Sequence, residues 1–280
     1  MRTGTASFFW SLVLFLGLNA CSHFQDQHEP GLASRLAAHG FQRMEHATLV
    51  AWLRQGPHPA GTASKRLRVY IEGDGAAWWL QKFPPSDPTP VVSLAVHWVL
   101  SEHRMDLAYL ARPCQYLAAP DRQACPPDWW TQARYGPAVH AQMQRMLDDL
   151  KSQSGAQQLE LIGHSGGGTM AVLLAAQRQD VACLAVLAAP LDLQAWTSHH
   201  RVAPLSGSLD PALLSADQLS APAVYLWGEH DTVVPAHTVG RFALKVKQAS
   251  MVVIPGWGHT QGWAQREPWQ SRISCLSASS

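Results

Sequence analysis

The chain has 280 residues, 47% of them hydrophobic and 15% charged, and a formal net charge of +1. So balanced a charge leaves no electrostatic footprint for nucleic acid or a strongly anionic surface. The length is one that is often built as a single domain with one sizeable core.

At the start of the chain, Arg2 precedes an apolar stretch over residues 8–18, too short to span the hydrocarbon core of a bilayer as a helix. Residues 1–20 therefore read as a signal segment that is removed. Leu18-Asn19-Ala20-Cys21 resembles the bacterial lipobox, with Asn19 departing from the small or aliphatic residue usual there. That resemblance implies a lipoprotein signal peptide and a Cys21 that carries diacylglycerol and an N-acyl chain; more than one chain is what stable anchoring requires. Ser22, rather than Asp, implies sorting to the outer membrane, facing periplasm or surface. The competing reading is an ordinary secretory signal with Cys21 unmodified. Residues 21–40 are polar and poorly patterned and are expected to be a tether, with the folded domain over 41–280.

Residues 48–53 and 67–71 alternate as strands, the second ending in the turn cluster Glu72-Gly73-Asp74-Gly75. After the proline-rich residues 84–90, a helix is expected over 91–100 and a strand over 106–110. Val139, Met143, Met146 and Leu150 fall at helical spacing between Pro137 and Ser152. Strands follow at 159–162, 181–188, 223–227 and 251–254, with helical patterns at 169–177 and 239–247. Strands alternating with helices at this spacing predict a three-layer α/β sandwich around a mostly parallel sheet. Residues 190–222 break the alternation. Ligands of such sheets bind beyond the carboxyl ends of the strands, so this stretch is expected to be a small cap insertion over a site.

Besides Cys21 there are Cys114, Cys125, Cys183 and Cys275. An exported protein meets an oxidising compartment, so an even count invites disulfides. Cys114 and Cys125 flank a polar loop and are the expected pair, whereas Cys183 and Cys275 read equally well as paired or as free buried thiols. No Cys/His spacing resembles a zinc site, and none of the motifs asks for a metal. The chain contains twelve tryptophans, of which Trp78, Trp79, Trp129, Trp130, Trp196, Trp257 and Trp263 lie beside expected loops. They read as packing or as the aromatic wall of a cleft.

Ser165 stands between Gly163 and Gly167, after an expected strand and before an expected helix. A nucleophile on so tight a turn needs small neighbours because the flanking segments pass close together. Serine also needs a base. Of 14 histidines, His259 follows the last expected strand on the glycine-bearing loop Pro255-Gly256-Trp257-Gly258-His259. The imidazole in turn needs a carboxylate to fix its tautomer; Asp231, directly after the strand at 223–227, is favoured over Asp192 and Glu229. The order Ser165, Asp231, His259 differs from that of the two unrelated serine protease folds. Two oxyanion donors complete the set: the N–H of Gly166 and, from the 72–75 cluster, the N–H of Asp74, with Gly75 as the second choice. A carboxylate there would oppose the developing charge if it pointed inward.

With these motifs the chain resembles the α/β-hydrolase superfamily over about residues 45–275. Tyr70-Ile71-Glu72-Gly73-Asp74-Gly75, Ala111-Arg112-Pro113-Cys114-Gln115-Tyr116, Gly163-His164-Ser165-Gly166-Gly167-Gly168 and Pro204-Leu205-Ser206-Gly207-Ser208-Leu209 are similar to stretches of a group of proteobacterial hydrolase-like lipoproteins. The resemblance implies a serine esterase acting through an acyl-enzyme, without metal or organic cofactor, on a small-molecule ester or acyl substrate. A peptidase or amide hydrolase on the same residues, and a non-catalytic envelope lipoprotein that keeps the fold for binding, are the alternatives.

Overall fold

The computed structural model describes residues 31–56, 66–77, 83–247, 250–265 and 269–276. The expected signal over 1–20, Cys21 as the expected lipidation site, and Trp78 and Trp79 lie outside them. Among the described residues no helix is long and apolar enough to cross a membrane.

Helix α1 (Leu32–Ala38) opens the described chain, inside the span expected to be a tether. Leu32 and Leu36 are buried in the core; their spacing of four puts both on one helix face, so the folded part begins earlier than the polar composition suggests. Strands β1 (Gln42–His46) and β2 (Leu49–Arg54) form an antiparallel hairpin, and β2 runs antiparallel to β4 (Leu107–Leu110). From β4 the sheet is parallel, through β3 (Arg66–Ile71), β5 (Gln158–His164), β6 (Val181–Leu187), β7 (Ala223–Gly228) and β8 (Met251–Ile254). Among the described residues the sheet has eight strands, in the order β1-β2-β4-β3-β5-β6-β7-β8.

The two-residue period of each strand divides the core. Leu67, Val69 and Ile71 of β3 and Leu159 and Leu161 of β5 face one layer, with helices α4 (Pro137–Ser154) and α5 (Gly166–Ala175). Tyr70 and Ile162 face the other, with α1, α2 (Leu94–Ser101), Trp263 and Trp269. Val139, Met143, Met146 and Leu150, the predicted stripe of α4, are all buried; the one-turn helix α3 (Ala119–Arg122) precedes it in the chain. Helix α2 starts three residues later than expected, where the Ser93 hydroxyl caps the Val96 N–H at 2.9 Å. The helix expected over 239–247 is shorter: a 3-10 turn over Ala236–Val239 leads into one turn, Gly240–Ala243.

Two charged residues interrupt the apolar strands. Arg68 of β3 and Glu160 of β5 are paired in register, and Arg68 reaches Glu160 at 2.8 Å and Glu102 at 2.6 Å with all three buried. Arg104, Arg66 and the Tyr70 hydroxyl join this cluster. A buried ion pair is tolerable only when so fully satisfied.

Residues 190–222 hold the helix Leu193–His200 and two 3-10 turns, Pro211–Leu213 and Asp217–Leu219. They pack beside the sheet: Trp196 and His200 donate to the carbonyl oxygen of Val233, and Ser208 bridges to Gln132 and Tyr135. Both cysteine pairs are bridged, Cys114 to Cys125 and Cys183 to Cys275. The second bridge joins β6 to residues near the carboxyl end of the described chain.

Candidate active site

Strand β5 ends at His164 and the next helix begins at Gly166, so Ser165 alone makes the turn, with φ 53° and ψ −128°. A non-glycine residue in that region is strained and persists only where its surroundings hold it. Here the Ser165 N–H donates to the carbonyl oxygen of Leu187 at 2.8 Å, and its own carbonyl accepts from the N–H of Gly168 and Thr169. The flanking glycines follow from the crowding. A Cβ on Gly163 would lie 2.3 Å from the backbone of Gly167, and one on Gly167 would lie 2.4 Å from the carbonyl oxygen of Ile71.

The loops after β7 and β8 meet this turn. His230 N–H donates to the carbonyl oxygen of Trp257 at 2.7 Å, and Trp263 Nε1 donates to that of Gly258 at 2.8 Å. His259 is thereby placed with Nδ1 2.9 Å from Asp231 Oδ2 and Nε2 3.1 Å from Ser165 Oγ. Asp231 Oδ1 accepts from the N–H groups of Val233 and Val234. Burial raises the Asp231 pKa, but the His259 hydrogen bond and the backbone donors outweigh it and hold the carboxyl below the usual range. The competing acids are elsewhere. Asp192 caps the helix Leu193–His200 and pairs with Arg241, and Glu229 accepts from the Gly256 N–H.

His164 was not singled out by the sequence. Its Nε2 donates to the carbonyl oxygen of His259 at 2.6 Å, and the two rings lie 4.8 Å apart. Burial and the nearby His259 push its pKa down to about 3, so it stays neutral.

The loop after β3 faces Ser165. Gly75 has φ 64°, and a Cβ there would lie 2.1 Å from the carbonyl oxygen of Pro88, which makes glycine necessary. Among the described residues, neither the Asp74 N–H nor the Gly166 N–H donates to a protein acceptor. The Asp74 carboxylate is held by Arg112 at 3.0 Å, Arg134 at 3.1 Å and the Tyr135 hydroxyl at 2.6 Å. Burial raises its pKa, yet Arg134 and Arg112 bring it below the ordinary value, so the group is an anion. Glu72, next to it, accepts from the Gly73 N–H and from the hydroxyls of Ser93, Tyr109 and Tyr116, while burial pushes its carboxyl up.

A cavity of about 370 Å³ opens over these groups. Ser165, His164, His259, Glu72 and Asp74 supply its polar part, and Ile71, Ala76, Pro90, Val91, Val92 and Leu94 an apolar wall. No residue of 190–222 lines it, and neither do Trp129, Trp130, Trp196, Trp257 or Trp263. The expected cap is thus not what borders the cavity: the segment after the proline-rich stretch takes that place, because the helix at Leu193–His200 is pinned to the Val233 loop. Among the described residues no group of three or more His, Cys, Asp or Glu side chains converges as a metal site would.

The sequence model of the dienelactone hydrolase family matches residues 115–267, which include Ser165, Asp231 and His259. No curated protein sequence matches the chain. Among solved structures, a puromycin hydrolase superposes with a TM-score of 0.53 at 18% identity, over 79% of this chain and 36% of its own. The Pyrococcus horikoshii acylaminoacyl peptidase gives 0.55 at 11% identity, over 81% and 38%. The Pyrococcus furiosus esterase gives 0.54 at 14% identity, over 83% and 89%. The chain therefore spans little more than a third of the first two, and the likeness to all three is one of fold.

Proposed function

The chain belongs to the dienelactone hydrolase family of α/β-hydrolases, and from that premise we propose that it is a carboxylic-ester hydrolase working through an acyl-enzyme on Ser165. The observation that carries the reading is the hydrogen-bonded line from Asp231 through His259 to Ser165, at 2.9 and 3.1 Å, ending on a serine of positive φ. Asp231 accepts the Nδ1–H of His259, which leaves Nε2 free to take the Ser165 proton. The Ser165 oxygen attacks the acyl carbonyl, and the oxyanion is received by the N–H groups of Gly166 and Asp74. The imidazolium then protonates the leaving alkoxide. Water, deprotonated by His259, attacks the acyl-enzyme; the acid leaves and Ser165 regains its proton.

A fluorophosphonate probe tests this directly: the wild type is labelled and Ser165→Ala is not. A folded wild type that takes no label overturns the reading. A panel of p-nitrophenyl esters against aminoacyl anilides ranks ester over amide, faster anilide turnover being the outcome that favours a peptidase.

The envelope location is part of the same proposal and rests on the lipobox-like Leu18-Asn19-Ala20-Cys21. Expressed in a bacterium fed an alkyne fatty acid, the chain is expected to take up label and fractionate with outer membrane, and Cys21→Ala to do neither. Label-free wild type would mean an ordinary secretory signal.

A further inference from the structure

The two oxyanion donors belong to separate segments, the loop after β3 and the first turn of α5, and no covalent link fixes their spacing. A side chain from a third segment hydrogen-bonds to both. Arg112, in the loop after β4, donates from Nη1 to Asp74 Oδ1 at 3.0 Å and to the Gly166 carbonyl oxygen at 3.3 Å. Its Nη2 donates to the carbonyl oxygen of Arg134, and its guanidinium lies 5.2 Å from the Tyr135 ring. Arg134 and Tyr135 grip the other carboxylate oxygen of Asp74. Arg112 is held in turn by Gln115, which accepts from the Arg112 N–H at 3.0 Å and donates to the carbonyl oxygen of Gly73 at 3.1 Å. The packing is tight: a Cβ on Gly166 would lie 2.0 Å from Asp74 Oδ1.

We propose that Arg112 is a positioning residue that clamps the two halves of the oxyanion hole together, through Asp74 on one side and the Gly166 carbonyl on the other. The inference rests on the acyl-transfer reading above. It also gives Asp74 a role: its carboxylate is the handle by which the loop is held. The guanidiniums of Arg112 and Arg134 offset its negative charge, which would otherwise oppose the oxyanion. Arginine is required because a planar fork with several donors serves three acceptors at once, whereas an ammonium is a point charge on a flexible stem. Neither guanidinium lines the cavity, so the clamp acts on donors and not on substrate.

The test compares wild type with Arg112→Ala, Arg112→Lys and Tyr135→Phe in fluorophosphonate labelling, ester kinetics and thermal unfolding. Donors displaced by a fraction of an ångström lose interactions made only in the transition state. For Arg112→Ala, kcat is therefore expected to fall on the order of 100-fold with KM within about threefold. Millimolar guanidinium ion, but not urea, is expected to restore part of the rate. Arg112→Lys is expected to lose nearly as much as the alanine variant, and Tyr135→Phe only a few-fold, about the loss of one hydrogen bond of three.

Folded Arg112→Ala at near wild-type kcat overturns the clamp, as does a loss that guanidinium does not relieve. Should the alanine variant fail to fold, Arg112→Lys decides: full activity in it overturns the clamp, and reduced kcat at unchanged melting temperature supports it. Failure of the underlying reading looks different, because then the wild type itself takes no label.

Discussion

Asp231 and Asp192 are both buried carboxylates just beyond strand ends, and only their partners tell them apart. Asp231 faces His259, and replacing it by Asn keeps the shape but favours the wrong imidazole tautomer. Asp231→Asn is accordingly expected to lower kcat on the order of 10⁴-fold, by analogy with other triads. Asp192→Asn and Glu229→Gln are expected to stay within a few-fold; Asp192→Asn keeps its cap, since asparagine caps as well as aspartate, and loses about 1 kcal/mol of stability or less through the weakened ion pair with Arg241. Steady-state ester kinetics and urea unfolding measure both, and equal losses in turnover would mean that another acid serves His259. His164 carries the pH prediction. Its folded pKa, about 3, lies below the ordinary 6.5, so between these values the unfolded chain binds more protons. Stability from this group is whole above pH 6.5 and is lost as pH falls toward 3, at about 1.4 kcal/mol per unit while the histidine is the main group titrating. Urea unfolding at pH 7 and pH 5 is expected to show a decline in wild type that is shallower in His164→Gln.

At the scale of elements, the turn between β5 and α5 depends on glycines for want of space. Gly163→Ala would drive a methyl into the Gly167 backbone, which neither segment yields without moving a core helix. Soluble folded protein is expected to be lost. Gly256, where a Cβ meets nothing within 4 Å, serves as the contrast: Gly256→Ala pays only for its positive φ, about 1 kcal/mol. Soluble yield of the two variants, with urea unfolding of Gly256→Ala, checks this, and a normally folded Gly163→Ala would contradict the packing. The strands from 67–71 to 223–227 were legible because buried parallel strands are short apolar runs, and 251–254 because it stays apolar although it is a half-exposed edge strand. The hairpin strand Gln42–His46 was not: it sits at the sheet edge, its residues exposed or half-buried, so its composition is that of a loop. The helix expected over 239–247 shrinks to the turn Gly240–Ala243, since Phe242 packs on Tyr225, Arg241 is drawn to Asp192 and Leu244 is exposed, which leaves no continuous apolar helical face.

Across the whole molecule the two disulfides close loops of very different span, with sequence separations of 11 and 92. In the chain-entropy account, losing Cys114–Cys125 costs about 3 kcal/mol and losing Cys183–Cys275 about 4–5 kcal/mol. Unfolding of the paired serine variants is expected to follow that order, and the reverse order would point to structure retained in the unfolded chain. Local sequence determined the alternation of strands and helices, the serine between glycines, and the order of Ser165, Asp231 and His259. These are legible because each depends on neighbours within a few residues, through side-chain period or backbone crowding. Only the tertiary structure decided that Cys183 meets Cys275, that residues 190–222 border no part of the cavity, and that Asp74 is gripped by Arg112, Arg134 and Tyr135. Those contacts join segments 38 to 92 residues apart, and no local pattern encodes which distant partner a charged or sulfur-bearing side chain meets. Buried charges must find a partner; the fold selects which one.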